Sequence, residues 1–326
     1  MRTLAVEVER FRLAKPFAIA RGVRTESIVV VVTLSQAGAR GRGECVPYAR
    51  YGETIDSVLA QVDSVRQAIE DGADRPRLQA LLPAGAARNA LDCALWDLEA
   101  KRLGIRAHQL AGLHRLTSAT TAFTISLDTP DAMAEAARAA ADRPLLKVKL
   151  GREGDPRRIA AVRAAAPEAT LIVDANEGWS VETLDENFAA CAEAGVALIE
   201  QPLPAGADAI LAQRPREVPV CADESVHTRD GLAALRERYD LINIKLDKTG
   251  GLTEAFALAE AAAALEFGIF VGCMVGSSLA MAPALLLTPR ARFVDLDGPL
   301  LLAQDRQPGL RYEGSTVWPA DADLWG

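Results

Sequence analysis

The sequence predicts an α/β barrel of the (β/α)7β type, which is a modified TIM barrel, covered by an α+β capping domain. One observation is that eight short β-rich runs alternate with alanine-rich helical segments after about residue 117, as in a parallel barrel. Another is that strands and helices in a different arrangement precede this region. We therefore expect a capping domain at residues 1–117, a barrel at 118–303, and a segment at 304–326 that returns to the capping domain.

The N-terminal region has the pattern of antiparallel β-structure. Apolar runs predict strands at Leu4–Phe11 and Ile28–Leu34, a turn at Gln36–Gly38 and a short strand that ends near Glu44. The segment Phe17–Glu26, between the first two strands, is polar and contains glycine. We expect it to form a loop that binds a ligand, since mobile loops often do so.

Helical patterns follow these strands. Residues Thr54–Leu82 are mainly helical in pattern, and Thr54 is a suitable N-cap. Residues Ala86–Leu103 place alanines and leucines on one face, and Gly104 predicts the end of that helix. The opening third is therefore predicted to be an α+β unit of its own.

The predicted barrel strands follow one another with helical segments between them. The eight strands are Ala122–Leu127, Leu145–Leu150, Leu171–Asp174, Ala197–Glu200, Val218–Ala222, Leu241–Lys245, Ile269–Cys273 and Arg292–Asp295. Pro130–Ala141 and Glu254–Phe267 are examples of the helices. In the tail, strand character returns at Leu310–Tyr312 and Val317–Trp318.

The composition is that of a globular protein and excludes several classes of partner. The chain has 326 residues, a net charge of −8 and a pI near 5.1, which argues against binding to nucleic acid or to an anionic membrane. No apolar run reaches the roughly 18 residues that span a bilayer, and no signal-peptide pattern is present. We therefore expect a cytoplasmic protein.

The five cysteines have no CxxC spacing, so buried reduced thiols are expected.

Two lysines lie within the apolar segment Leu145–Gly151. Lys147 and Lys149 are two residues apart, so a strand places both ammonium groups on one face. An edge strand protected by lysines is one interpretation, and a pair of catalytic lysines at the mouth of a barrel is the other. The segment is the second of eight barrel strands and has no free edge to protect, which favours the catalytic interpretation.

A charged residue stands at the end of each of five consecutive barrel strands. These residues are Lys149, Asp174, Glu200, Asp223 and Lys245, and they recur every 22 to 26 residues, the length of one βα unit. A single aspartate at a strand end is usually a turn or N-cap residue, but the repeated pattern indicates a site. In a barrel, such a site belongs at the carboxyl ends of the strands.

Three of these residues, Asp174, Glu200 and Asp223, are carboxylates on adjacent strands. Without histidine or cysteine among them, they offer hard oxygen donors, which suit Mg²⁺, or Mn²⁺ as a substitute, rather than zinc. We expect one such ion. Asn176 shares the parity of Asp174 and is expected to orient a ligand or to bind near the metal. The three histidines lie away from the strand ends and are given no role.

Strands two and six of an eight-stranded barrel are diametrically opposed, so Lys149 and Lys245 should face each other across a substrate. Two bases on opposite sides of one carbon can invert it. A base near neutral pH requires a lysine pKa lowered toward about 7–8, and we expect burial, Lys147 and the cation to lower it. The cation would stabilise the enediolate that forms when a proton leaves the carbon next to a carboxylate, and Lys147 would assist that oxyanion.

These segments resemble the enolase superfamily, in particular its muconate-lactonizing-enzyme-like subgroup. The resemblance covers nearly the whole chain and rests on the motifs ALDCALWDLEAK, KVKLG, IVDANEGW, IEQPLP, CADES, INIKLDKTGGLTEA and GCMVGSS. It implies that the three strand-end carboxylates bind Mg²⁺ and that Lys149 and Lys245 form the acid/base pair. It also implies that Lys147 is their electrostatic helper.

Two further features resemble the dipeptide epimerases of that subgroup. In DLDGPL, Asp295 and Asp297 lie two residues apart, and this D-x-D resembles the signature whose carboxylates receive the substrate's α-ammonium group. The predicted N-terminal loop carries Arg21 and Arg24. We prefer Arg24, within RGVRTE, because it resembles the arginine of Ala-Glu epimerases that contacts the glutamate side chain, and a guanidinium suits a carboxylate.

The resemblance therefore implies a Mg²⁺-dependent L-Ala-D/L-Glu epimerase that transfers an α-proton between two bases, in cell-wall peptide recycling. Ser277 and Ser278 would help to hold a small dipeptide substrate, and we expect a homo-oligomer. Alternatives within the subgroup are an epimerase of other dipeptides, an N-acylamino acid racemase and an o-succinylbenzoate synthase. A catalytically silent binding protein is a further alternative, against which the intact lysines and carboxylates speak.

Overall fold

The computed structural model describes all 326 residues, and the chain begins with a three-stranded antiparallel sheet. Its strands are β1 (Arg2–Ile19), β2 (Gly22–Gln36) and β3 (Ala39–Cys45). The prediction of a loop at Phe17–Glu26 is wrong, because β1 and β2 continue through it and join at a two-residue turn, Ala20 and Arg21. The residues of this hairpin tip are half-buried or exposed on both faces, so they lack the apolar alternation by which a strand is recognised.

Five helices complete the capping domain. They are α1 (Ile55–Ser64), α2 (Arg66–Glu70), α3 (Arg75–Leu81), α4 (Ala86–Leu103) and α5 (Ala107–Leu110). Thr54 caps α1, because its hydroxyl accepts a hydrogen bond from Ser57 N–H. Helix α4 has the predicted bounds, and Gly104 ends it with a φ of 68°, a conformation that favours glycine. An 18-residue apolar cluster forms the core of this domain.

Strand β3 crosses α4 at very short range. A Cβ atom at Gly43 would lie 2.1 Å from the carbonyl oxygen of Ala90, and one at Gly41 would lie 2.3 Å from that of Ala94. Both distances are far below van der Waals contact, so only glycine fits at these two positions. The close packing fixes β3, and with it the residues that follow β3, against the long helix.

Eight parallel strands, β5 to β12, form a barrel in which neighbours along the chain are neighbours in the sheet. After the short strand β4 (Ala119–Thr120), the barrel strands are β5 (Phe123–Ile125), β6 (Leu145–Lys149), β7 (Thr170–Asp174), β8 (Leu198–Glu200), β9 (Val220–Ala222), β10 (Leu241–Ile244), β11 (Gly268–Val271) and β12 (Phe293–Val294). The N–H of Ala122 donates to the carbonyl of Val294 at 2.8 Å and links the first strand to the last. The predicted (β/α)7β barrel is confirmed.

Helices follow most of the barrel strands. They are α6 (Pro130–Ala139), α7 (Asp155–Ala165), α8 (Val181–Glu193), α9 (Leu246–Thr249), α10 (Leu252–Ala264), α11 (Ser278–Ala284) and α12 (Gly298–Leu301). After β8 and β9, the connections contain only 3₁₀ turns, at Ala209–Gln213 and Leu232–Leu235. None of the helices combines the length and the apolar character that crossing a bilayer requires.

The barrel interior is filled by side chains and leaves a polar layer at one end. A seven-residue apolar cluster, with Leu145 of β6 and Phe270 of β11 among its members, packs inside the barrel. Lys147 lies above it, with its ammonium nitrogen 5.0 Å from the centre of the Phe270 ring. Because β6 has a period of two, Leu145, Lys147 and Lys149 point to the same side, which is the interior.

The C-terminal tail contacts both parts of the molecule. Strands β13 (Tyr312–Glu313) and β14 (Thr316–Val317) pair with β4 rather than with the capping sheet. The last residues then reach the capping domain, where the Trp325 indole N–H donates to the carbonyl of Cys93 at 3.1 Å. All five cysteines are free thiols, and all are buried except Cys273, which is half-buried.

Candidate active site

A cavity of about 460 Å³ lies at the carboxyl ends of the barrel strands, under the tip of the β1–β2 hairpin. Both domains line it. From the barrel come Lys149, Asn176, Asp223, Glu224, Lys245, Asp295 and Asp297, and from the capping domain come Phe17, Arg21, Arg24, Tyr48 and Tyr51, among others. The cavity is therefore formed only when the hairpin lies over the barrel mouth.

The two lysines expected to act as bases both line this cavity. Lys149 is the last residue of β6, and Lys245 directly follows β10. Three strands separate β6 from β10 in the barrel, so the lysines approach the cavity from opposite sides. Their side chains are almost completely buried, which places two amines in a site that excludes most water.

The three strand-end carboxylates lie beside one another and are paired with lysines. Asp174 and Glu200 are register partners in the parallel sheet, and Asp223 directly follows β9. The nearest distances are 2.6 Å from Lys149 to Asp174 and 2.6 Å from Lys245 to Asp223. The site is thus a network of buried ion pairs rather than a row of isolated charges.

Lys147 lies in the middle of this network. Its ammonium nitrogen is 2.6 Å from Glu200, 2.8 Å from Asp295 and 3.4 Å from Asp174. Burial alone would lower the pKa of Lys147, but these carboxylates outweigh it and raise the pKa well above the ordinary value. Lys147 is therefore a permanent cation, which suits a group that stabilises negative charge.

The pKa of Lys245 is raised, whereas the expectation with the cation in place is a lowered pKa. Burial acts in the expected direction, but Asp223 and Glu200 favour the charged form more strongly and raise the pKa of Lys245. The physical reason is direct contact, because the ammonium group forms an ion pair with Asp223. Any group that draws this carboxylate away from Lys245 would lower that pKa again.

The carboxyl groups carry more negative charge than the cations beside them neutralise. Burial, together with the nearby Asp174, raises the pKa of Glu200 to about 7. Burial and Asp223 likewise raise the pKa of Glu224 to about 7. The pKa of Asp174 moves the other way, to about 2, because Lys149 and Lys147 overcome its burial.

The residues present fit a divalent cation, although they are not arranged as a ready-made site. No group of three acidic, histidine or cysteine side chains is placed to hold a metal ion as it stands, because each candidate carboxylate is turned toward a lysine. The donors are nevertheless hard oxygens on adjacent strands. Buried oxygens of Asn176, Glu224 and Asp295 have no hydrogen-bond partner, which agrees with a site that is short of positive charge.

The D-x-D pair lies at the side of the cavity next to β12. Asp297 accepts a hydrogen bond from Thr124 N–H at 2.8 Å, and Asp295 contacts Lys147 through one oxygen while its other oxygen has no partner. Burial and the charge of Asp295 raise the pKa of Asp297 to about 7. A substrate ammonium group would offset this repulsion.

The two arginines of the hairpin differ in their contacts. Arg21 is held on the barrel, 2.7 Å from Glu224 and 3.1 Å from Glu177. Arg24 lines the cavity and forms no ion pair, and its guanidinium lies over the ring of Tyr48. Arg21 therefore already has carboxylate partners, whereas the guanidinium of Arg24 has none.

Asn176 is in the site, whereas the two serines are not. The side-chain amide of Asn176 donates to Asp174 at 3.1 Å, and its backbone φ of 47° turns the residue into the cavity. Ser277 and Ser278 are fully buried outside the cavity lining, where their hydroxyls donate to Glu44 and Asp305. These hydroxyls hold a loop in place, and the structure does not bring them to the substrate space.

Three residues at the site escaped the sequence-based reasoning. Lys248 is fully buried and lies 2.6 Å from Asp223, and its spacing of three from Lys245 along a helical turn was the available signal. Glu224 directly follows Asp223. Because neighbouring residues on a strand usually face opposite ways, the sequence predicts that Glu224 points away from the site. Tyr48 had no local signal, since its contacts with Arg21 and Arg24 come from the hairpin.

A capped parallel barrel with opposed buried lysines and a row of carboxylates at its mouth defines the class of enolase-superfamily enzymes. Two family models agree with this assignment. Residues 1–112 match the mandelate racemase / muconate lactonizing enzyme N-terminal domain, and residues 132–319 match the enolase C-terminal domain-like family. The chain belongs to the mandelate racemase / muconate lactonizing enzyme family of the enolase superfamily.

Two similar proteins are isomerases with related substrates in their names. The chain is 51% identical over 314 residues to an L-Ala-D/L-Glu epimerase of Escherichia coli, covering 96% of this chain and 98% of that protein. It is 47% identical over 300 residues to an N-acetyl-D-glutamate racemase of a Pseudoalteromonas species, covering 91% and 95%. The chain is accordingly an isomerase of the racemase and epimerase type.

Solved structures agree with this assignment. An enolase family member from Agrobacterium tumefaciens with homology to dipeptide epimerases, bound to sodium and L-Ala-L-Glu, matches with a TM-score of 0.98 and 54% identity over 100% of both chains. A dipeptide epimerase from Cytophaga hutchinsonii, complexed with Mg and D-Ala-L-Val, matches with a TM-score of 0.91 and 26% identity, covering 98% of this chain and 93% of that one.

Proposed function

We propose that this protein is a Mg²⁺-dependent dipeptide epimerase, and specifically an L-Ala-D/L-Glu epimerase. The observation that carries the proposal is that Lys149 and Lys245 line one cavity from strands on opposite sides of the barrel. A substrate carbon held between them has a base on each face. The similar proteins described above agree with this chemistry, since one is an epimerase and another is a racemase.

The reaction requires one lysine to be neutral and the other protonated. The neutral lysine takes the α-proton of the C-terminal residue from one face, and the protonated lysine delivers a proton to the opposite face, which inverts the carbon. In the reverse direction the roles are exchanged. Lys147, which stays protonated, is placed to stabilise the negative charge that develops on the substrate carboxylate.

Asp174, Glu200 and Asp223 would hold the cation. When bound, a divalent ion supplies Lewis-acid stabilisation of the carboxylate whose α-proton is removed; Mg²⁺ is proposed, with Mn²⁺ as a possible substitute. The chain's own contribution is to position the donors, because Asp174 and Glu200 end barrel strands of fixed register and Asp223 directly follows one. Asn176, hydrogen-bonded to Asp174, would orient that donor.

The two ends of the dipeptide would be recognised by opposite charges. Asp295 and Asp297 are placed to receive the substrate ammonium group, because they form a buried acidic pair that lacks a full set of partners. Arg24 is placed to receive an acidic side chain, because its guanidinium lines the cavity without an ion pair. The proposed substrate is therefore cationic at one end and acidic at the other.

The second candidate is a racemase of N-acylamino acids, and the 47% identity to an N-acetyl-D-glutamate racemase favours it. The two functions differ in what Asp297 faces. A free-amine dipeptide brings a charged ammonium group, whereas an N-acetyl group brings none.

An epimerase of other dipeptides would differ only in the substrate side chain that lies near Arg24. An o-succinylbenzoate synthase is disfavoured, since its substrate has no amine for the acidic pair.

Deuterium exchange in D₂O tests this proposal. With Mg²⁺ present, we expect the protein to exchange the α-proton of the glutamate in L-Ala-L-Glu faster than that of N-acetyl-L-glutamate, measured by NMR. The variant Asp297→Asn should lower kcat/KM for the dipeptide roughly 10- to 100-fold, the worth of a charge-assisted hydrogen bond, and leave N-acetylglutamate unaffected. Faster exchange of N-acetylglutamate would favour the racemase, and no exchange with any substrate would favour a silent binding protein.

The proposed setting is the recycling of cell-wall peptides in the cytoplasm. An enzyme that inverts the glutamate of L-Ala-Glu would connect peptides containing the D-isomer with the ordinary L-amino acid pool. We propose in addition that the working form is a homo-oligomer. Light scattering of the purified protein would test the assembly state.

A further inference from the structure

Tyr48 occupies a fixed position at the edge of the cavity. It follows β3 closely, and only 9% of its surface is exposed. Its backbone N–H donates to one carboxylate oxygen of Glu53 at 3.0 Å, and the other oxygen accepts the N–H of Ala86, the first residue of α4, at 2.7 Å. The capping domain therefore holds this ring independently of any ligand.

Both arginines of the hairpin tip contact Tyr48, but in different ways. The phenolic oxygen accepts a hydrogen bond from Arg21 at 3.0 Å, and Arg21 is also bound to Glu224 at 2.7 Å and to the carbonyl of Asn176 at 2.9 Å. Both guanidinium groups lie over the ring, but that of Arg24 is the nearer one, with its carbon 4.9 Å from the ring centre against 5.8 Å for Arg21. One side chain thus touches the anchored arginine and the free one.

The contact with the Tyr48 ring matters because the Arg24 side chain forms no hydrogen bond and no ion pair. The arginine is largely exposed, and no acidic residue lies within ion-pair distance of its guanidinium. A long, unrestrained side chain loses rotamer freedom when it binds a ligand. A guanidinium that already lies over an aromatic ring is restricted before binding, and its N–H groups stay free for a carboxylate.

We propose that Tyr48 is the positioning residue for the acidic-side-chain subsite: its ring face orients Arg24 for the substrate carboxylate, while its hydroxyl separately helps Arg21 to hold the hairpin on the barrel. This inference rests on the proposed function, because it takes the subsite to receive the glutamate side chain. In this inference, the ring is responsible for the preference for an acidic over a neutral side chain. The hydroxyl contributes to the affinity for any substrate that the hairpin covers.

Two substitutions separate these contributions. Tyr48→Phe keeps the ring and removes the hydroxyl, whereas Tyr48→Leu removes both. We would measure the Kd of L-Ala-L-Glu and of its neutral isostere L-Ala-L-Gln by calorimetry with Mg²⁺ present, and express selectivity as the ratio of the two constants. Thermal unfolding of each variant would establish that it is folded.

The wild type should bind L-Ala-L-Glu more tightly than L-Ala-L-Gln. Tyr48→Phe should weaken both ligands about equally, by roughly two- to tenfold, and keep the wild-type ratio. Tyr48→Leu should reduce the ratio by about three- to tenfold. The proposal would be overturned if Tyr48→Leu lost affinity for both ligands equally and so kept the wild-type ratio. A wild type that does not bind L-Ala-L-Glu in preference to L-Ala-L-Gln would overturn it as well.

A variant on the arginine side makes the test independent of how well Tyr48→Leu folds. Arg24→Lys keeps the charge but replaces the planar guanidinium by an ammonium group that cannot stack in the same way. We expect a fall in the binding ratio similar to that of Tyr48→Leu, and an unchanged ratio would refute the role of the ring. Binding ratios remain measurable without turnover, so a wild type that exchanges no α-proton would count against the proposed function alone.

Discussion

At the scale of single residues, the site combines groups that must change protonation with groups that must not. Lys147 contacts three carboxylates, and a lysine so surrounded cannot give up its proton near neutral pH. Lys149 and Lys245 each have one close carboxylate partner. The number of carboxylate neighbours therefore distinguishes the helper from the two proposed bases.

The two proposed bases make a prediction about stereochemistry. Lys149→Ala and Lys245→Ala should each slow epimerisation by about 10²–10⁴-fold, the usual contribution of an acid or base. Each variant should still exchange the α-proton of one epimer of Ala-Glu in D₂O, because the remaining lysine still faces that proton. The two variants should retain opposite epimers, as seen by NMR from L,L and L,D starting material.

Lys15→Ala provides the control, because Lys15 is an exposed lysine outside the cavity. This variant should leave the rates of epimerisation and of α-proton exchange unchanged. If both active-site variants lost exchange of both epimers to the same extent, the two-base assignment would be wrong. Retention of the same epimer in both would contradict it equally.

At the scale of elements, the capping domain is attached to the barrel by polar contacts between α4 and the chain around α9. Arg88 of α4 donates to the carbonyls of Thr249 at 2.7 Å and Gly250 at 3.1 Å. Asn89 donates to Asp247 at 2.9 Å, and the same oxygen of Asp247 accepts the N–H of Val46 at 3.0 Å. These bonds join the end of β3, α4 and α9 at one buried point, and Asp247 lies two residues along the chain from Lys245.

Asp247 gives this junction a pH dependence. Burial raises its pKa from 3.8 to about 7 and outweighs the hydrogen bonds from Val46 and Asn89, which lower it, while the nearby Glu53 and Glu44 raise it by smaller amounts. Between about pH 4 and pH 7 the folded protein holds a proton that the unfolded chain has lost, so this group makes the free energy of unfolding fall as pH rises. Asp247→Asn should remove that decline and, at pH 8, raise the free energy of unfolding by on the order of 2–4 kcal/mol.

Denaturant unfolding of wild type and Asp247→Asn from pH 4 to pH 8 measures this effect. The isosteric amide keeps the oxygen that accepts both hydrogen bonds, so the folded structure should be preserved. Asp131→Asn, which changes an exposed aspartate at the start of α6, should leave the curve unchanged within about 0.5 kcal/mol. Parallel stability curves for wild type and Asp247→Asn would show that Asp247 does not titrate in this range.

At the scale of the whole molecule, the site depends on both domains and is proposed to bind a cation. The barrel supplies the carboxylates and lysines, and the hairpin of the capping domain covers them, so neither part alone forms the cavity. A ligand that binds only the folded chain stabilises it. Because Glu200 and Glu224 both have pKa values raised to about 7, the folded site carries repulsion that a divalent cation would relieve.

Addition of Mg²⁺ should therefore raise the thermal stability of the protein. At a concentration about 100 times Kd, the expected gain is about 2.7 kcal/mol, which scanning calorimetry would record as a higher Tm. Glu200→Gln should abolish most of the increase, because it removes one proposed ligand. Glu237→Gln, at an exposed position, should retain it. Equal increases in the two variants would place the cation elsewhere.

Much of this molecule could be predicted from the sequence because parallel barrels are regular. The period of two in a strand directed Lys147 and Lys149 inward, and the repeat of one βα unit brought Asp174, Glu200 and Asp223 to one end of the barrel. These are consequences of local geometry, so neighbouring residues contain the necessary information. The eight strands and the charged residues at their ends were accordingly identified without the structure.

The tertiary structure alone decided what lies across the mouth of the barrel. The sequence predicts a loop at the hairpin tip, and only the fold shows that Arg21 is bound to Glu224 while Arg24 lies over the ring of Tyr48. It likewise turned the hydroxyls of Ser277 and Ser278 away from the cavity, toward Glu44 and Asp305. These arrangements join residues far apart in the chain and depend on how the capping domain packs on the barrel, which no local pattern in the sequence records.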